Sequence, residues 1–186
     1  MLQLRPPLSS EIIATLRIGD VVLLSGTIYT ARDAAHQRLV AAVRAGQSLP
    51  FNVTGQIIYY VGPAPTPPGE IIGPAGPTTA GRVDVFTPQL LQLGLKGMIG
   101  KGKRSALVRR AIQQHCAVYF LLVGGAAALI SEHIKEVAVV AYHDLGTEAI
   151  HRFEVEQLRL VVGNDCHGGD LFEEGQAAYQ RTVQGL

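Results

Sequence analysis

From Gly62 to Gly81 this chain can be neither a helix nor an inner strand. Six of its ten prolines fall there, at positions 63, 65, 67, 68, 74 and 77. Each removes a backbone donor and locks φ, so only Ile71-Ile72 keeps the chance of a brief strand. A flexible surface excursion would carry the same composition. This one, however, ends in Gly76-Pro77-Thr78-Thr79-Ala80-Gly81-Arg82-Val83-Asp84, two hydroxyls and a guanidinium set between glycines. Proline reduces the entropy lost in holding one loop shape, so the segment reads as a stiff wall that delivers a ligand loop. Neutral donors beside one fixed cation suit a small anion, a carboxylate or a phosphate.

The flanks are regular. Val21-Val22-Leu23-Leu24, Gln56 to Val61, Gly97 to Gly100, Val118 to Val123 and Val137 to Tyr142 are short apolar runs between glycine or polar punctuation, the pattern of buried strands. Between them lie helical patterns at Glu11 to Leu16, Asp33 to Ala45, Thr87 to Leu93, Ser105 to His115 and Ala126 to Ser131. Asp33 and Thr87 are expected N-caps, Pro88 is expected at the first helical position, and Gly46 is a stop signal. Phe153 to Val155 and Leu158 to Val162 read as a closing hairpin or as part of a second sheet. The tail from Leu171 is polar and reads as a helix or as a loosely attached segment. Strands alternating with helices predict an α/β domain with a mainly parallel core sheet. A chain of 186 residues without a composition break predicts one domain over 1–186.

Two further cations follow buried strands. Arg32, in Gly26-Thr27-Ile28-Tyr29-Thr30-Ala31-Arg32-Asp33, enters a helix N-terminus, where backbone N–H groups favour an anion. Lys101 opens Gly100-Lys101-Gly102-Lys103-Arg104-Ser105, which lacks the order of a Walker loop. Taken alone, each could be a solvated basic turn. Together with Arg82 and the hydroxyls of Thr78 and Thr79 they make half of an anion site, able to neutralise carboxylates. His36, one turn after Arg32, reads as a packed or solvated residue.

Other chemistries find little support. No Gly-x-Ser-x-Gly elbow or Cys-His set is present, and the histidines at 36, 115, 133, 143, 151 and 167 are scattered. Two cysteines, Cys116 and Cys166, are too few for a disulfide framework, and no metal site is expected from spacing. Asn164-Asp165-Cys166-His167-Gly168-Gly169-Asp170 holds metal-ligating residue types, but a polar turn explains it as well. A net charge of +1 argues against nucleic acid as a partner. No apolar run reaches membrane-spanning length, and Met1 to Pro7 lacks the pattern of a signal peptide, so a cytoplasmic protein is expected.

In this order, Gly26-Thr27 with Ala31-Arg32-Asp33-Ala34-Ala35-His36, then Gly76-Pro77-Thr78-Thr79-Ala80-Gly81-Arg82-Val83-Asp84, then Gly100-Lys101-Gly102, resemble the β subunit of the iron-sulfur (class I) fumarate hydratases and L(+)-tartrate dehydratases. The chain is similar also to the C-terminal domain of the single-chain enzymes, over roughly Gly19 to Asp170. The resemblance implies a three-layer β/β/α swivelling domain packed on a larger α subunit, with two copies of each in the assembly. It implies a 4Fe-4S cluster held by that partner and not by this chain. It implies that Arg32, Arg82, Lys101 and Thr78 bind a small dicarboxylate, with Thr78 and Lys101 catalytic and Thr78 the candidate base. The reaction would be reversible hydration of fumarate to (S)-malate, or dehydration of tartrate or a related diacid. The chain by itself would be inactive and could form a homodimer in place of the natural interface. Departures are modest: Ala80-Gly81 and Val83 fall where members vary. A carboxylate-binding module without catalysis and a phosphate-binding α/β domain are the competing readings.

Overall fold

The structure is a computed structural model that describes residues 1–184. In chain order it contains β1 (Leu2–Leu4), α1 (Ser10–Thr15), β2 (Val21–Thr30), α2 (Asp33–Arg44), β3 (Ile57–Tyr59), α3 (Thr87–Gln92), β4 (Gly97–Gly100), α4 (Ala106–Gln114), β5 (Val118–Leu121), α5 (Ala127–Ser131), β6 (Ile134–Ala141), β7 (Ile150–Asn164) and α6 (Leu171–Gln184). Two short 3-10 segments, Ala80–Val83 and His143–Glu148, lie between them.

The strands run β1-β2-β3-β4-β5-β7-β6, and β2 also pairs with β7. That extra pairing closes β2, β3, β4, β5 and β7 into a ring, a five-strand barrel. β1 through β5 are parallel to their neighbours, whereas β7 is antiparallel to β5, β2 and β6. The fold is therefore mixed α/β, as expected. The core is a closed barrel of mixed direction and not a flat, mainly parallel layer.

The closing strand explains the difference. The sequence reads Phe153 to Val155 and Leu158 to Val162 as a closing hairpin or as part of a second sheet, but both lie in one strand, β7, which runs unbroken for 15 residues. Between Val155 and Leu158 it carries one residue more than β2 does between Gly26 and Leu24, a bulge. Gln157 takes φ +52° there, and its N–H donates to Ser25 Oγ at 3.0 Å. The same pairing carries β2 past Ser25-Gly26 to Thr30, well beyond the four apolar residues that announced it.

Side chains alternate across the barrel wall, as strand geometry requires. Ile57, Tyr59, Ile99, Val118 and Phe120 join Val22, Leu24, Ile28, Phe153, Leu160 and Val162 in one cluster, fed by all five ring strands and therefore inside the barrel. Ile58, Tyr60, Met98 and Tyr119 face outward into a second cluster, with Ala35 and Leu39 of α2, Leu90 and Leu91 of α3, and Val108 and Ile112 of α4. Strands β3, β4 and β5 are thus buried on both faces, which is why they read as continuous apolar runs.

The proline-rich excursion folds back on itself. Ala64 N donates to Pro74 O at 3.0 Å, and the buried Tyr59 hydroxyl donates to Ala75 O at 2.6 Å. A Cβ on Gly73 would stand 2.3 Å from Ala64 O, so the two limbs touch backbone to backbone and only glycine fits. Ile71 and Ile72 form no strand. α6 is tied down at its start, where Arg109 Nη1 meets Asp170 Oδ2 at 3.0 Å and Glu173 Oε1 at 2.7 Å.

Candidate active site

β2, β3, β4 and β5 run parallel, so Arg32, Tyr60 to Gly62, Lys101 and Val123-Gly124 all leave the barrel at its carboxyl rim. Parallel α/β proteins place their ligands at this end. β7 enters the barrel from the same rim, being antiparallel, and brings Thr147 and Glu148 to it.

Backbone hydrogen bonds set the threonine loop beside Lys101. Thr78 N donates to Tyr60 O at 2.7 Å, Lys101 N to Thr78 O at 3.2 Å, and Ala80 N to Lys101 O at 2.9 Å. Thr79 and Lys101 form a parallel bridge, so the excursion ends as one extra rung along β4. The Lys101 side chain is exposed and runs past Gly124, whose Cβ position would be 3.6 Å from its Cδ. The Thr78 hydroxyl is half-buried and makes no hydrogen bond among the described residues.

Arg82, on the next turn, is half exposed and donates from Nε to Asp33 Oδ1 at 2.9 Å. The other oxygen of Asp33 lies 3.9 Å from Arg32 Nε. Lys101, Thr78, Arg82 and Arg32 therefore sit along one continuous path, with Asp33 as the link between the arginines. Asp33 is the first residue of α2 and caps nothing through its side chain; the cap position belongs to Arg32. Thr87 likewise lies one residue inside α3, with Phe86 at the cap position.

Arg32 lies flat on Gly62. A Cβ there would come within 3.0 Å of Arg32 Cδ, Arg32 Nη1 and Thr147 O. Across the guanidinium, Glu148 Oε1 stands 3.7 Å from Nη2, while Glu148 Oε2 accepts from Ala34 N at 3.2 Å. A carboxylate thus occupies the first turn of α2, where N–H groups and dipole favour it. The Arg32 side chain is 22% exposed, yet its guanidinium makes no hydrogen bond among the described residues, and Nε is fully buried. Nε faces Asp33 Oδ2, likewise buried and unbonded, and the two Nη groups, which are not fully buried, keep their donors free, so this geometry fits a site that an anionic ligand completes.

Beneath the rim, Arg104 has the opposite environment. Its Nε donates to Asp84 Oδ1 at 2.8 Å, Nη2 to Thr87 Oγ1 at 2.9 Å and Nη1 to Tyr60 Oη at 3.2 Å. Its Cζ is 4.9 Å from the centre of the Tyr119 ring. Asp84 Oδ2 accepts from Ser105 N at 2.6 Å. Asp84, the last residue of the threonine motif, thus ties that loop to the Lys101 turn through a buried ion pair. Sequence reasoning left the Lys101 to Arg104 stretch open between a solvated basic turn and part of the anion site, and passed over Glu148 altogether. Ser105, read from the sequence as the first residue of the helix, is the N-cap of α4.

His36 is fully buried, and its ring meets Tyr60 edge-on. The neutral ring donates from Nδ1 to Arg32 O at 2.8 Å, and burial pulls its pKa down to about 4. Nε2 is buried without a partner. This histidine packs and does not face solvent.

Cys116 and Cys166 meet at the opposite rim, over α1, with Sγ atoms 3.5 Å from Ser10 O and 3.9 Å from Ile13 O. Burial pushes the Cys166 thiol up to about 11. Among the described residues no group of three or more His, Cys, Asp or Glu could hold a metal ion. An iron-sulfur cluster needs a set of thiolates, so the residues of this chain do not fit one. No helix among the described residues is long and apolar enough to cross a membrane.

A family model described as Fumarase C-terminus matches residues 1–175. The class I aerobic fumarate hydratase of Salmonella typhimurium is 41% identical over 174 residues, which cover 91% of this chain and 30% of that protein. Fumarate hydratase 1, mitochondrial, of Leishmania major is 41% identical over 154 residues, 81% of this chain and 28% of that protein. The putative L(+)-tartrate dehydratase subunit beta of Methanocaldococcus jannaschii is 32% identical over 173 residues, 90% of this chain and 89% of that protein. The chain thus spans under a third of these two fumarate hydratases and nearly the whole of the tartrate dehydratase subunit.

Proposed function

This chain belongs to the Fumarase C-terminus family, and we propose that it is the β subunit of a two-subunit hydro-lyase that hydrates fumarate reversibly to (S)-malate. The observation that carries this reading is Arg32, largely buried at the rim that also holds Arg82 and the Thr79–Lys101 bridge, with no hydrogen bond to its guanidinium among the described residues. Arg32, Arg82 and Lys101 bind the substrate carboxylates. Thr78 Oγ takes the proton from the carbon next to one carboxylate during dehydration and returns it during hydration. Proton removal there builds negative charge on that carboxylate. Fixed cations stabilise that charge more than they stabilise the ground state. The same cations make a threonine alkoxide accessible as a base.

The 4Fe-4S cluster belongs to a separate, larger α subunit, because the thiols here are too few and lie at the wrong rim; departure of the hydroxyl belongs to that half. The chain acts as one cytoplasmic domain that swivels against the partner, in an assembly with two copies of each subunit. It is inactive without that partner. A second reading, an L(+)-tartrate dehydratase β subunit, is favoured by the near full-length match to the Methanocaldococcus protein.

The deciding experiment assays this chain anaerobically, with and without a co-expressed cluster-bearing partner, on fumarate and on L(+)-tartrate. Activity only in the pair, abolished by Arg82→Ala and by Thr78→Ala, is the expected result, and the preferred substrate separates the two readings. Inactivity on both diacids with a fully loaded partner would overturn them. Tight malate binding by the isolated chain, without any turnover in the pair, would instead mark a carboxylate-binding module.

A further inference from the structure

We propose that Asp33 and Glu148 are positioning residues that aim Arg32 and Arg82 at one substrate carboxylate. The proposal rests on the hydro-lyase reading of the site and adds two residues to it.

The two arginines approach each other through Asp33, and like charges so placed repel unless an anion stands between them. Asp33 supplies that anion unequally. It takes a full hydrogen bond from Arg82 Nε at 2.9 Å but stays 3.9 Å from Arg32 Nε. Glu148 repeats the longer spacing from the other side, 3.7 Å from Arg32 Nη2. A hydrogen bond fades steeply over that difference, whereas Coulomb attraction falls only as the inverse of distance. Arg32 is therefore bracketed but not bonded: two carboxylates centre it and leave its Nη donors for a third. Arg82, with Nε taken, keeps both Nη groups, which make no hydrogen bond among the described residues. Two forks prepared in this way match the bidentate geometry of a carboxylate.

The bracket is itself rigid. Glu148 is pinned by Ala34 N, Asp33 is fixed in the first turn of α2, and Gly62 with Thr147 O closes the third side of Arg32. The two carboxylates come from positions 33 and 148, brought together only because β7 starts beside the end of β2. Their side chains are 32% and 28% exposed, so water screens them only in part.

Asp33→Asn and Glu148→Gln remove the charge and keep an oxygen acceptor for Arg82 Nε and Ala34 N, so the local contacts survive. In the complex of this chain with its cluster-bearing partner, each variant should raise KM for fumarate about tenfold, with kcat within about threefold of the parent. In the isolated 15N-labelled chain, the Nε–Hε resonances of Arg32 and Arg82 should shift in Asp33→Asn while that of Arg104 stays. Unchanged KM and unchanged resonances would overturn the proposal. So would a fall in kcat and thermal midpoint at constant KM, which marks a purely structural role. If the parent complex turns over no diacid, the hydro-lyase reading fails. The arginine resonances then decide by themselves whether the two carboxylates hold the arginines.

Discussion

Two arginines, linked through His36 and Tyr60, solve the problem of a buried cation in opposite ways. Arg104 is saturated: a carboxylate, two hydroxyls and two aromatic faces surround it, and none of its side chain is exposed. Arg32 is enclosed by a glycine face and two carboxylates held just beyond hydrogen-bond range, and it bonds to nothing. Proteins satisfy a buried polar group whose role is to hold the fold. One left unsatisfied at a rim where strands deliver their loops is prepared for a ligand. The contrast therefore divides the basic residues into one that builds the rim and one that uses it.

The sharpest way to break this division is to delete each arginine. Arg104→Met strands Asp84, which is 7% exposed, and should cost about 3–5 kcal/mol by urea unfolding. Arg32→Ala should change stability by less than ~1 kcal/mol, since its two ion pairs are long and part-exposed, yet it should abolish turnover in the complex. Equal losses of stability in the two variants would erase the distinction.

A second test uses His36, which stands between the two, hydrogen-bonded to Arg32 O and edge-on to Tyr60, the partner of Arg104. Its folded pKa, about 4, lies below the unfolded value near 6.5, so the unfolded chain binds the proton first. Its contribution is whole above pH ~6.5 and is lost as pH falls towards 4, a matter of ~3 kcal/mol. Urea midpoints measured across that window should fall more steeply for the parent chain than for His36→Phe. Parallel curves would show that the ring is not held neutral by burial.

The smallest effect sharpens the comparison most. Gly62→Ala places a methyl group 3.0 Å from Arg32 Cδ and Nη1. It should cost ~1 kcal/mol of stability and raise KM for the dicarboxylate roughly fivefold, while leaving Arg104 untouched. A Gly62→Ala enzyme with parental KM would mean that the bed under Arg32 does not set its position.

Much of this was readable beforehand, for local reasons. Gln56 to Val61, Gly97 to Gly100 and Val118 to Val123 contain strands because an apolar run between breakers has few other ways to be buried. The helical pattern from Ser105 to His115 contains α4, with Ser105 not its first residue but its cap, accepting from Val108 N. The motif order brought Arg32, Thr78, Arg82 and Lys101 together on paper, and the structure places all four at one rim. Asp33 and Thr87 missed their cap positions by one residue, because the same side chains were drawn into ion pairing and into the Arg104 network.

What the sequence by itself determined is the set of elements and the chemistry of their loops: buried parallel strands, glycine turns carrying cations, and a stiff proline wall. Each of these follows from backbone sterics and local periodicity, which act over a few residues. Tertiary structure alone decided that β7 closes the barrel, that Arg104 turns inward while Lys101, three residues earlier, turns outward, and that Glu148 reaches Arg32. Those choices depend on partners more than one hundred residues apart, or on which side of a turn meets the second core. Burial energy settles such matters only once the barrel has closed.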